Sequence, residues 1–145
     1  MRCIKVADGD IVIGGDGKPV MVEGAARIQQ EMALWLLEPI GTDAVYPKFG
    51  SDLWNYIGAP AFDDNLTAIR SEVNRVVTNY IAAQNEQIAR DKQRLSDNEF
   101  LQVWTDDDIV STLNSITVSA TGTNVNVLVI VSTAAATQVS VAQTL

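Results

Sequence analysis

The chain has 145 residues, 47% hydrophobic and 6% aromatic, with 18 acidic residues against 10 basic ones and a formal net charge of −8. That length supports a hydrophobic core without covalent staples, and that hydrophobicity is too high for a disordered chain. The acidic balance, with no basic cluster, argues against nucleic-acid binding, which draws its affinity from Lys and Arg at phosphates.

Cys3 to Val22 reads as strands and tight turns. Ile11-Val12-Ile13 and Val20-Met21-Val22 flank Gly14-Gly15-Asp16-Gly17, a hairpin signal because glycine accepts positive φ. Residues 25–38 are predicted helical, with Ile28, Met32, Trp35 and Leu36 on one face and Arg27, Gln30 and Glu31 directed elsewhere. Pro39 ends that helix. A loop through Gly41 and Pro47 leads to a short helix from about Ser51, with Leu53, Trp54, Tyr56 and Ile57 supplying a face to bury.

The strongest period follows Asp63 and Asp64, where Leu66, Ile69, Val73, Val76 and Tyr80 are spaced as on one helix face. A helix continuing to Arg94 would be ~45 Å long. Between Leu95 and Asn114 no period is clear; Phe100, Leu101, Val103 and Trp104 call for burial, and Asp106-Asp107-Asp108 for exposure or pairing. Ser115–Ala120 and Val125–Ser132 are β-branched runs around Thr121-Gly122-Thr123-Asn124, a second hairpin. Val139 and Val141 alternate near the end, as a last strand or as a tail without a partner in its own fold. The expected fold class is α+β. A small mixed β-sheet, an N-terminal hairpin, two short helices, one long helix and a C-terminal hairpin make a single domain, 1–145. Residues 133–145 are its extended C-terminal strand or tail.

Little in the chain points to catalysis. There is no histidine and one cysteine, Cys3, so a Ser-His-Asp or Cys-His arrangement, a zinc site and an internal disulfide have no residues to build them. Asp8-Gly9-Asp10 and Asp16-Gly17 lack the ligand spacing of a calcium loop and read as turns. No metal and no cofactor are therefore expected. The N-terminal Met1-Arg2-Cys3-Ile4-Lys5 lacks the apolar region of a signal peptide, and no run is long enough for a membrane helix. The enzymatic alternative is a peptidoglycan-cleaving glycosidase using Glu31 or Glu38 with a distant Asp. Trp35, Trp54 and Trp104 could then stack on sugars, although core packing is their ordinary role. An unrelated acidic adaptor domain is the third reading.

Gln29-Gln30 in the first helix, Gly41-Thr42-Asp43, and Tyr46-Pro47-Lys48-Phe49-Gly50-Ser51-Asp52-Leu53 form a distinctive series. With the long helix and terminal hairpin, this layout resembles the baseplate wedge and sheath-initiator family of contractile phage tails, which has type VI secretion relatives. Gly41, Pro47, Phe49, Gly50 and Leu53 carry the motif. The resemblance implies a fold related to the inner domain of tail sheath proteins, and a structural, non-enzymatic role in the virion baseplate, assembled in the host cytoplasm. It implies a six-fold ring around the tail tube or hub. The partners would be other wedge proteins and the tail sheath protein, whose first subunits join by strand exchange, without nucleic acid or membrane. Ile116, Val118, Val125, Val127, Val129, Val139 and Val141 are the candidate partner-strand positions. The family's Glu-Pro-Arg after the long helix is absent between Ala89 and Asn114, so the wedge contact it makes is not implied.

Overall fold

The computed structural model describes residues 1–60 and 62–145. Its strands are β1 (Arg2–Ile4), β2 (Val6–Ala7), β3 (Asp10–Ile11), β4 (Met21–Glu23), β5 (Val110–Thr121), β6 (Asn124–Thr133) and β7 (Gln138–Thr144). Its helices are α1 (Gly24–Leu37), α2 (Asp63–Arg94) and α3 (Asp97–Val103), with short 3-10 turns at Leu53–Tyr56 and Asp106–Asp108. The class is α+β. Every pair of these strands is antiparallel, where a mixed sheet was expected. The reason is local: β5, β6 and β7 are consecutive and joined by tight turns, and parallel neighbours would need a crossover.

The three-stranded sheet, in order β5-β6-β7, is the floor of the fold. Val110, Val118, Val127, Val129, Val131, Val139 and Val141 point to one face and are buried. Ile28, Met32 and Leu36 of α1 and Ile69, Val73, Val76, Val77 and Tyr80 of α2 cover that face. Helix α1 lies against β7 and α2 against β5. On the opposite face Ser115, Thr117, Ser119, Ser140, Ala142 and Thr144 are exposed, as in an antiparallel sheet with one wet side.

The N-terminal segment pairs differently from expectation. The turn at Gly14–Lys18 forms, with Gly14 N–H donating to the Lys18 carbonyl at 2.8 Å and a bridge between Ile13 and Pro19. Beyond it, β4 pairs with β1 and β3 with β2, because residues 2–7 run beside both arms. The short helix after Ser51 is a single 3-10 turn. It buries Leu53 but leaves Trp54 and Ile57 exposed, since a four-residue turn presents too narrow a face for all four apolar side chains.

Arg27, expected off the apolar face of α1, is 2% exposed. It donates to Glu31 Oε2 and to the Asp108 carbonyl, both at 2.6 Å, and its Nε lies 3.5 Å from Asp108 Oδ1. Asp108 also accepts from the Met1 ammonium at 2.8 Å, the Thr105 hydroxyl at 2.7 Å and the Gly24 amide at 2.9 Å. The last bond caps α1 from a residue 84 positions away, while Glu23 contributes no side-chain cap. Burial pushes the Asp108 carboxyl up, but those donors outweigh it and hold the group down at about 2. Asp106 and Asp107 stay exposed, so only the third aspartate of the run is buried and paired.

A candidate strand-docking edge beside helix α1

Within residues 133–145, Gln138–Thr144 is a strand with a partner inside the fold, β7 pairing with β6. The Val125 and Leu145 amides each donate to the other's carbonyl, at 3.2 and 2.8 Å, and Thr133 N–H donates to the Thr137 carbonyl at 2.9 Å. Antiparallel alternation then directs the backbone groups of Val139, Val141 and Gln143 at β6 and those of Gln138, Ser140, Ala142 and Thr144 outward. Among the described residues, one of these outward groups has a partner in the fold: the Ser140 carbonyl, which accepts from Gln29 Nε2 at 2.9 Å.

The edge runs along a groove of about 860 Å³. Helix α1 supplies one wall with Ala26, Gln29, Ala33, Leu34 and Leu37; β2 and the turn at Asp8–Gly9 close the end. That wall is small at Ala26 and Ala33 and apolar at Leu34 and Leu37, with Gln29 reaching across to β7. Gln30 holds the hairpin in place, accepting from the Val6 amide and donating to the Ile4 carbonyl, both at 2.8 Å. The channel is thus bounded by regular elements that hydrogen bonds fix to each other.

The seven partner-strand positions fall into distinct places. Val125, Val127 and Val129 lie on β6, the central strand, whose two edges are both taken by β5 and β7. They are core residues and offer nothing to an incoming strand. Val139 and Val141 lie on β7, but their side chains are buried and their backbone groups face β6. The outward groups come from their even-numbered neighbours. Ile116 and Val118 lie on β5, whose outer edge is also unpaired; its register with β6 slips between Val110 and Thr112 and between Leu113 and Ser115 and is unbroken from Ser115 to Thr121.

The five motif residues build a clamp at the far end of α1. The Tyr46 carbonyl accepts from the Phe49 amide at 2.8 Å, closing a turn with Pro47 at its second position, where its fixed φ suits the chain. Phe49 packs edge-on to Trp35 with ring centroids 4.9 Å apart, and Leu53 is buried. Gly50 has φ +94°, and a Cβ there would lie 2.6 Å from the Glu38 carbonyl oxygen. Ser51 then bridges back, its amide donating to the Glu38 carbonyl at 2.7 Å and its hydroxyl to the Leu36 carbonyl at 2.6 Å. Gly41 has φ +82° with open space around it, so its glycine serves the turn alone. These residues position the end of α1 and touch neither open edge.

The carboxylates weighed for glycoside cleavage sit apart from the groove's centre. Glu31 accepts from Arg27 and from the Tyr80 hydroxyl at 3.0 Å, while Glu38 lies exposed at the helix terminus. Burial and the Glu31 charge push the Tyr80 phenol up, keeping it a donor to Glu31. Trp104 is buried with its indole N–H donating to Asp91 at 2.9 Å, Trp35 is half-buried, and Trp54 lies exposed with its N–H on the Leu37 carbonyl. The groove and Gln29's reach to Ser140 had no sequence signal, because both arise from residues 111 positions apart. The alternation Val139-Ser140-Val141 was the one available clue to the strand. Comparisons of the chain with protein-family models, with curated proteins and with solved structures each returned no match.

Proposed function

We propose that the chain is a structural assembly subunit that receives an extended strand from a partner at the outer edge of β7. The observation that carries this reading is the row of outward backbone groups on Gln138, Ser140, Ala142 and Thr144, whose middle lies along a groove of about 860 Å³. Strand addition uses those groups for affinity and alternate side-chain positions for register. Together with the Pro47-Lys48-Phe49-Gly50 series and element order, it supports a sheath-initiating role in a contractile-tail baseplate. The partner is then the tail sheath protein, added around the tube. In this account β7 is an acceptor held in its own sheet, not a tail donated to the neighbour.

The test is Ala142→Pro. The Ala142 amide faces away from β6, so proline there removes an outward donor and obstructs an incoming strand without breaking a β6–β7 bond. Purified protein mixed with the sheath protein and viewed by electron microscopy should seed sheath, and the A142P variant should not. Ala120→Pro, the matching change on β5, should seed normally. Equal seeding by both variants and the parent refutes the β7 edge as the docking strand.

A further inference from the structure

On the other side of α1 from the groove lies a second cavity, of about 270 Å³, between α1, α2 and the loop through Asp43. Five aromatic rings line it: Trp35, Tyr46, Phe49, Tyr80 and Trp104. Trp35 stands edge-on to both Phe49 and Tyr80, with centroids 4.9 and 5.9 Å away. The aromatic wall already stabilises one cation, since the Arg27 guanidinium carbon sits 5.6 Å from the Trp104 centroid.

The polar atoms of the wall are unequally matched. Arg27 and the Met1 ammonium are neutralised by Glu31 and Asp108. Asp43 has no ion-pair partner among the described residues. Its Oδ1 accepts from the Val45 and Tyr46 amides at 2.7 and 3.0 Å, leaving Oδ2 without a donor. Glu31 uses only Oε2, for Arg27 and Tyr80. Gln87 donates its amide to Asp91 and leaves its own oxygen unused. Asp43, Glu31 and Gln87, each with one acceptor oxygen that has no donor and Asp43 with no opposing charge, thus line a space walled by aromatic rings. Arg90 reaches the Tyr46 hydroxyl at 3.5 Å from the adjoining cavity and does not line this one.

We propose that this cavity binds a primary ammonium group on an aliphatic stem, presented as a lysine side chain by a partner protein. The rings accept the stem and the cation's charge, Asp43 supplies the opposing charge, and the three oxygens match the three donors of an ammonium. The chain's net charge of −8 favours a basic partner surface approaching the opening. This site is independent of the β7 groove and stands whether or not a strand docks there.

The experiment is a titration of ¹⁵N-labelled protein with Nα-acetyl-lysine methylamide, reading the three indole N–H signals. Trp35 and Trp104 line the cavity and should shift and saturate, while exposed Trp54, outside it, should stay. Asp43→Asn keeps the Oδ1 acceptor of the loop and removes the charge, so its affinity should fall on the order of fivefold with the rest of the spectrum unchanged. The uncharged norleucine analogue should give no saturable shift. Equal shifts from norleucine, or undiminished affinity in D43N, overturn the proposal. Much tighter binding of free 1,5-diaminopentane overturns the assignment to a protein lysine in favour of a small diamine.

Discussion

The two outer edges of the sheet differ in what surrounds them. β5 is the longer strand; its register slips twice against β6 before Ser115, and its edge lines neither of the two cavities described above. From Ser115 on, β5 pairs in unbroken register over seven residues, as β7 does, but α1 and the N-terminal hairpin flank β7 to make a channel. A regular unpaired edge is a template for another strand, and a groove beside it gives that strand a place to lie. An unpaired edge is therefore an opportunity for a partner only where the neighbouring elements leave room and hold still.

The largest effect separates an integral strand from a detachable tail. Ending the chain after Ser132 removes β7 with Val139 and Val141, both buried in the core. Its product should show no cooperative thermal transition by circular dichroism, instead of a folded protein that merely fails to assemble. A folded truncation with a sharp transition makes β7 an appendage and weakens the contrast between the edges.

Gly50→Ala tests the clamp at the far end of α1, which touches neither edge. With φ +94° and a Cβ placed 2.6 Å from the Glu38 carbonyl, it should cost about 2–4 kcal/mol in denaturant unfolding. Strand capture by the protein that remains folded should be unchanged.

Asp108 holds the opposite end of α1, and its carboxyl is depressed from 3.8 to about 2. A depressed folded value means its stabilisation is complete above pH 3.8 and lost as pH falls through 2. The shift corresponds to about 2 kcal/mol. Asp108→Asn should therefore lower stability by about that amount at pH 7, and the difference from the parent should shrink toward pH 2 in acid unfolding curves.

The smallest effect is at the turn that delivers β7. Ala136 has φ +63°, a conformation that disfavours a side chain. Ala136→Gly should raise stability by ~0.5–1 kcal/mol and leave the β7 edge as it is. A destabilised variant contradicts the turn geometry described above.

Sequence made α2 legible because Ile69, Val73, Val76 and Tyr80 repeat at helical spacing over several turns, and the β5–β6 hairpin because Gly122 sits between β-branched runs. It could not place Arg27: on a helical wheel the residue belongs with the polar side, and its partner Asp108 is 81 residues away. Nor did Ala134-Ala135-Ala136 announce a turn, since none of the usual turn residues is there. The candidate edge was half visible. Val139 and Val141 mark a strand, but which backbone groups face outward depends on the register with β6, and the groove depends on where α1 lies. Both are set by packing between distant segments.

Amide hydrogen exchange on the protein with and without sheath protein compares the two edges directly. The outward amides of Ser140, Ala142 and Thr144 should slow by roughly tenfold or more in the complex, as newly bonded strand amides do. Those of Val118 and Ala120 on β5 should exchange as before. Protection at Val118 and Ala120 with none on β7 would contradict strand docking at β7.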